Sequence, residues 1–175
     1  MKIVETYSHL NGEEYLLVHH PELYKEIKAV IREVDAAKCM TKTSKEKTMR
    51  GKKLYSPEML NKEFRKLFHK RGWTESRYQY YVTTNRAYLQ DIVNLPVDQQ
   101  RDYLNAKGVK APIKSYKQTD FVKDRIAIEV QFGKYAFVAF DLFVKHLLFY
   151  SGGVINVGIE ILPVKAMIED PNGGR

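Results

Sequence analysis

The stretch TDFVKDRIAIEVQF, residues 119–132, carries the most information about the fold. β-Branched and aromatic residues are frequent in 115–121 and in 126–132, which is typical of two strands. Lys123-Asp124 lies between them and is short enough for a tight turn. The stretch therefore predicts an antiparallel β-hairpin.

The second strand of this hairpin presents polar side chains on one face. Glu129 and Gln131 lie two residues apart and project from the same face, whereas their apolar neighbours project from the other. Asp120, late on the preceding strand, can lie across from them. Two converging carboxylates repel unless a hard cation such as Mg²⁺ lies between them, and the carbonyl of Val130 is within reach of such an ion. An edge hairpin with a merely solvated polar face would show the same pattern, and this spacing alone favours that plainer interpretation.

The remainder of the chain mixes helical and strand patterns. The predicted elements are a helix after Pro21, a helix that begins at Ser56-Pro57-Glu58 and stops near Gly72, a helical region over 88–106 broken at Leu95-Pro96, and strands over 78–84 and 154–162. This order predicts one domain over residues 1–175, of the α/β or α+β class, with a central sheet.

The positive charge is concentrated in one region. The chain has 175 residues and a net charge of +8, and the segment from Lys38 to Arg71 holds twelve Lys/Arg against three acids. Residues 41–53 (TKTSKEKTMRGKK) have almost no apolar content and predict an exposed loop. This loop is either a solvated surface feature or an arm that contacts phosphates without reading sequence. The candidate DNA-binding residues of this arm are Lys42, Lys45, Lys47, Arg50, Lys52 and Lys53.

The helix predicted between Tyr135 and Tyr150 is apolar nearly all round. Phe137, Val144 and Leu147 belong to one apolar face, and further apolar residues cover much of the rest. Such a helix is buried on more than one side. Either it lies wholly within one chain, or one side meets the sheet while residues 136–150 form a homodimer interface, which we favour.

Several classes of protein are excluded by composition and motif. A single cysteine, Cys39, excludes an internal disulfide, and the acidic N-terminus does not resemble a signal peptide. The most apolar stretch is too short and too interrupted to span a bilayer, so we expect a cytoplasmic protein with no membrane partner. The five histidines lack metal-ligand spacing, and signatures of metalloproteases, P-loops and nucleophile elbows are absent from the sequence.

The hairpin residues resemble the PD-(D/E)xK nuclease signature, in the variant that has glutamine in place of the usual lysine. The wider sequence is similar to the type II restriction endonucleases of the BstYI/BglII type, from Met1 to about Lys165. The segments that carry the similarity are residues 119–150, MKIVETYSHLNGEEY (1–15), SKEKT (44–48), LYSP (54–57) and GWTESR (72–77).

The resemblance implies a restriction-endonuclease-like fold, with a central mixed β-sheet flanked by helices. It implies a homodimeric, Mg²⁺-dependent enzyme that cuts both strands of a palindrome with a GATC core, of the form R/GATCY, and leaves 5′ GATC overhangs. Double-stranded DNA is then the substrate, and a cognate DNA methyltransferase is expected in the host.

The resemblance also assigns roles to residues. Asp120 and Glu129 become metal ligands together with the Val130 carbonyl, and Gln131 helps to orient the attacking water. Glu75 or Ser76 is the fourth catalytic candidate, from the segment matching GW-x-ES. Lys134 matches a position that approaches the DNA groove.

Relatives of this type continue past the segment matching EILPVKAMIED, so we expect this chain to lack a C-terminal recognition segment. The alternative function is therefore a relative or fragment of such an enzyme that binds DNA but is impaired in catalysis or recognition.

Overall fold

The computed structural model describes residues 1–45, 47 and 50–169. Residues 170–175, on which the expectation about the C-terminus bears, lie outside the described residues, as do Glu46, Thr48 and Met49 of the basic arm. The helices are α1 (Gly12–His19), α2 (Pro21–Glu33), α3 (Pro57–Lys70), α4 (Arg86–Ile92), α5 (Val97–Ala106), α6 (138–151) and α7 (Lys165–Glu169). The strands are β1 (Lys42–Thr43), β2 (Lys53–Leu54), β3 (Thr74–Val82), β4 (Ile113–Lys123), β5 (Ile126–Val130) and β6 (Val157–Ile161).

A four-stranded mixed sheet in the order β3-β4-β5-β6 forms the centre of the fold. The β3–β4 and β4–β5 pairs are antiparallel, and β5 pairs in parallel with β6. Helices flank this sheet, which confirms the predicted class and the restriction-endonuclease-like architecture. The predicted hairpin is β4–β5, but its turn lies one residue later than expected, at Asp124-Arg125, with φ values of 46° and 65°. Two consecutive left-handed residues give the twist that a two-residue hairpin turn requires.

One face of the sheet packs on α2 and α3 to form the main core. Ser56 begins α3 as predicted, because its side chain accepts a hydrogen bond from the amide of Met59 at 3.3 Å and Pro57 follows in the first turn. Phe64 and Phe68 of α3 are fully buried against this face of the sheet. The helix stops before Gly72, whose φ of 80° is the left-handed conformation that glycine adopts without strain.

The opposite face of the sheet is covered by α6. Its middle part, Asp141–His146, is π-helical, and Asp141 and His146 are buried while Phe143 is 68% exposed. This middle part therefore directs polar side chains to the sheet and apolar ones to solvent, whereas Phe149 near the end of α6 is buried. The interpretation of a helix buried wholly within one chain is wrong.

The plainer interpretation of the β4–β5 hairpin is also wrong. Strand β5 is flanked on both sides, by β4 and β6, so the hairpin is not at an edge of the sheet. All five residues of β5 are buried, and Glu129 is 4% exposed. A buried carboxylate in a central strand requires a partner or a function.

Candidate active site

Asp120 and Glu129 converge where β4 and β5 meet. The amide of Asp120 donates to Glu129 Oε1 at 3.3 Å, and the amide of Val130 donates to Asp120 Oδ2 at 3.2 Å. The register between β3 and β4 shifts at this point, since Ser76 pairs with Thr119 but Thr74 pairs with Val122. This β-bulge bends the strand beside the two carboxylates, a common way of aiming side chains at a functional site.

The environment of Glu129 opposes its negative charge. Burial and the nearby charge of Asp120 raise the pKa of Glu129 to about 7, although the ammonium of Lys145 acts in the opposite direction. Lys145 Nζ lies 2.9 Å from Glu129 Oε2. The site therefore concentrates negative charge that a bound cation would stabilise.

Helix α6 contributes an ion pair that closes a ring of polar side chains. Lys145 Nζ lies 2.8 Å from Asp141 Oδ1, and Asp141 Oδ2 accepts from Gln131 Nε2 at 3.3 Å. Burial alone would favour the neutral amine, but the hydrogen bonds and charges of Asp141 and Glu129 raise the pKa of Lys145. We call Glu129, Gln131, Asp141 and Lys145 the polar ring.

A second buried pair, Glu160 and His146, lies next to the polar ring. Glu160 pairs with Glu129 in the parallel register of β5 and β6, and neither of its carboxylate oxygens has a hydrogen-bond partner among the described residues. His146 Nε2 lies 3.8 Å from Glu160 Oε1. Burial, then the charges of Glu129 and Asp141, raise the pKa of Glu160 to about 8, and burial and Lys145 lower the pKa of His146 to about 4. Both side chains are therefore neutral at pH 7.

Glu75 and Ser76 lie on β3 with different surroundings. Glu75 accepts from Gln118 Nε2 at 3.0 Å, and one of its carboxylate oxygens lies 3.7 Å from a guanidinium nitrogen of Arg65 on α3. Ser76 pairs with Thr119, next to Asp120. The strand register therefore places Ser76 beside the residue that precedes Asp120. The contacts of Glu75 are with Gln118 and Arg65 instead.

The predicted DNA-binding residues are all exposed. The basic arm (41–53) carries the short β1–β2 ribbon, and each of its six candidate cations is exposed to solvent. Lys134 follows β5, is exposed, and its Nζ lies 5.9 Å from the ring centroid of Phe137.

The carboxylate pair fits a hard divalent cation. Asp120 and Glu129 offer oxygen donors side by side, and burial, followed by the charge of Asp120, raises the pKa of Glu129, so a bound cation would favour its ionised form. Within the described residues, no group of three or more His, Cys, Asp or Glu side chains has metal-site geometry. Mg²⁺ commonly binds through one or two carboxylates and fills its other positions with water and phosphate oxygens.

Sequence reasoning missed four polar residues of the site whose side chains are largely buried, namely Asp141, Lys145, His146 and Glu160. The first three interrupt the apolar stretch 135–150. Three ionisable residues within six positions of an otherwise apolar helix are a usable signal, because buried charges need partners.

The sequence matches the family model of restriction endonuclease BglII/BglIII over residues 4–173. Central strands that carry paired carboxylates, with helices on both faces, define a nuclease of the restriction-endonuclease class. The chain belongs to the BglII/BglIII restriction endonuclease family and is a type II restriction endonuclease that cleaves DNA at specific sites. No curated protein matches the sequence. Among the described residues, no helix has the length and apolar character needed to cross a membrane.

Proposed function

We propose that this enzyme hydrolyses DNA with Mg²⁺ at a palindrome that has a GATC core and an outer purine–pyrimidine pair, and that it leaves 5′ GATC overhangs. The observation that carries the catalytic part of the proposal is the pair formed by half-buried Asp120 and buried Glu129, with Gln131 directly after β5. The sequence specificity and the position of the cut rest on the resemblance to enzymes of the BstYI/BglII type.

Asp120, Glu129 and the carbonyl of Val130 would hold the metal. When bound, Mg²⁺ supplies Lewis acidity, which stabilises charge on the phosphate and lowers the pKa of a coordinated water. The residues of the chain bind and orient: the two carboxylates provide oxygen donors, and Gln131 positions the attacking water by hydrogen bonding. An amide does not act as a general base, so Gln131 does not take the proton of the water.

The proposed reaction is hydrolysis of a phosphodiester bond. A water oxygen forms a bond to phosphorus and releases a proton to solvent, the bond from phosphorus to the leaving sugar oxygen breaks, and that oxygen takes up a proton from solvent. Of Glu75 and Ser76, we favour Ser76 as the fourth catalytic residue, because it pairs with Thr119, next to Asp120. Glu75 is instead engaged with Gln118 and Arg65.

The basic arm holds the duplex. Its six exposed cations lie in residues 41–53, whereas the acidic pair lies on the β4–β5 hairpin. We therefore assign DNA binding and metal binding to separate parts of the chain. Contacts of this kind neutralise phosphates and release counterions, and they position DNA without reading its sequence. Lys134, next to the catalytic strand, is proposed to approach the groove.

A homodimer through residues 136–150 is the proposed assembly. Phe143 is 68% exposed, Tyr150 61% and Leu147 56%, which places a row of large apolar side chains on the outer side of α6. Exposed apolar patches on soluble proteins commonly mark interfaces. A symmetric dimer would present one catalytic centre to each strand of a palindrome, because an isologous interface and a palindromic site share a two-fold axis.

An enzyme of this activity acts on DNA in the cytoplasm and requires protection of the host's own sites. We therefore propose a cytoplasmic location and a cognate DNA methyltransferase as a partner in the host.

The test is a plasmid digest with sequenced fragment ends, with Mg²⁺ or with EDTA. The expected result is Mg²⁺-dependent cutting at GATC-centred hexamers with four-base 5′ overhangs. Cutting at an unrelated sequence, or blunt ends, would contradict the specificity. Salt-dependent DNA binding without any cleavage would instead show a non-catalytic relative.

A further inference from the structure

Gln131 differs from a lysine in having two chemically distinct ends, and its function depends on which end faces the substrate. The amide nitrogen donates hydrogen bonds, and the carbonyl oxygen accepts them. An attacking water is oriented for nucleophilic attack when one of its protons is held by an acceptor. The carbonyl oxygen is therefore the useful end.

Asp141 determines this orientation. Its Oδ2 lies 3.3 Å from Gln131 Nε2, and an ionised carboxylate can accept hydrogen bonds but not donate them. The nitrogen of the amide must therefore face Asp141, and the carbonyl oxygen is turned away from it. Asp141 is 4% exposed, so water does not compete effectively for the same position.

Lys145 forms ion pairs with both Asp141 and Glu129 and so connects them. Its ammonium lies between Asp141 Oδ1 and Glu129 Oε2, at 2.8 Å and 2.9 Å, and its side chain is 12% exposed. Since Gln131 carries no charge, Lys145 is the cation that contacts Glu129 among the ion pairs of the described residues. The i,i+4 spacing of Asp141 and Lys145 places both on the inner side of α6.

We propose that Asp141 and Lys145 are positioning residues of the nuclease site, which lock Gln131 with its carbonyl oxygen towards the attacking water and hold Glu129 towards the metal. This inference rests on the proposed function, since it assigns the role of Gln131 within it. It also explains why α6 directs Asp141 and Lys145 inwards, because these side chains contact Gln131 and Glu129 and hold them in place.

The test of Asp141 is a double-mutant cycle with Gln131. Asp141→Asn preserves size but offers the amide of Gln131 both a donor and an acceptor, so the amide is free to reverse. We expect single-turnover cleavage to fall about 10- to 100-fold, as for other residues that orient a metal-site side chain, with the DNA dissociation constant in Ca²⁺ unchanged. In the Gln131→Ala background, the same substitution should add less than about twofold, because the group it orients has been removed.

A second readout does not depend on activity. The side-chain amide resonances of Gln131, assigned by their loss in Gln131→Ala, should shift in Asp141→Asn in protein without metal or DNA. For the cation, Lys145→Met should lower cleavage to a similar extent, and Lys145→Arg should recover part of it. Glu22→Gln and Lys25→Met alter an exposed ion pair on α2 and serve as matched controls that keep full cleavage.

Additive losses in the double mutant, or unshifted Gln131 resonances in Asp141→Asn, would overturn the positioning role. Full cleavage by Asp141→Asn alongside an inactive Glu129→Gln would overturn it as well. Failure of the proposed function gives a different pattern, in which Glu129→Gln and Gln131→Ala both cleave as the wild type does. In that case the resonance shift still decides whether Asp141 orients the amide.

Discussion

Replacing Glu160 by glutamine is expected to remove a large pH dependence from the stability of the metal-free protein. Glu160 lies next to Glu129, its side chain is 6% exposed, and within the part of the chain that the structure describes both of its oxygens lack hydrogen-bond partners. Its nearest basic group, His146, is neutral at pH 7 because burial lowers its pKa to about 4. Folding therefore raises the pKa of Glu160 from 4.5 to about 8.

The direction in which the free energy of unfolding changes with pH follows from the number of protons bound in each state. Between pH 4.5 and pH 8 the native state keeps this proton while the unfolded chain releases it, so stability is full below pH 4.5 and is lost as the pH rises towards 8. One pKa unit corresponds to about 1.4 kcal/mol. The free energy of unfolding of Glu160→Gln minus that of the wild type should thus increase by about 3 kcal/mol between pH 5 and pH 7.

Urea unfolding followed by tryptophan fluorescence at pH 5, 6, 7 and 8 measures this difference directly. Trp73, the single tryptophan, is fully buried and reports on the core. Glu5→Gln makes the same chemical change at an exposed position and is the matched control. A difference between Glu160→Gln and wild type that stays constant from pH 5 to pH 8 would refute the reasoning.

Three further predictions concern the arm, the interface and the helix cap. The triple variant Lys45→Gln/Lys47→Gln/Lys52→Gln should weaken binding to all DNA sequences alike and lower the slope of log affinity against log salt by up to about 3; a loss confined to particular base pairs would contradict this. Phe143→Glu should shift sedimentation from dimer to monomer, since it places a charge in the exposed apolar row of α6, and an unchanged dimer would argue against this interface. Ser56→Ala should lower the free energy of unfolding by about 1 kcal/mol through loss of the α3 cap, measured by urea denaturation; no change would show that the cap is dispensable.

The fold and the carboxylate pair were predictable because they depend on local patterns. Strand alternation placed Glu129 and Gln131 on one face, and the hairpin brought Asp120 opposite them. The capping residues Ser56 and Gly72 marked the ends of α3. Each of these features follows from neighbours within a few residues, which sequence patterns record directly.

The positions of Asp141, Lys145, His146 and Glu160 in the site could not be predicted from such local patterns. The apolar pattern did not indicate which side of α6 meets the sheet. In the structure Lys145 faces Glu129 and Asp141 faces the amide of Gln131, so the polar side of the helix is the inner one. The π-helical segment adds i,i+5 spacing, so His146 shares a face with Asp141. Glu160 lies in the apolar strand VGIEI, and only the parallel register with β5 places it beside Glu129.

We propose above all that Asp120 and Glu129 belong to a metal-dependent active site that cleaves DNA. Single-turnover cleavage of a duplex containing AGATCT by wild type, Asp120→Asn and Glu129→Gln, with Mg²⁺ or EDTA, tests it most directly. We predict Mg²⁺-dependent cutting by the wild type and losses of at least about a thousandfold in both variants, which remain folded and bind the duplex. Near-wild-type, Mg²⁺-dependent cleavage by either variant would contradict the claim.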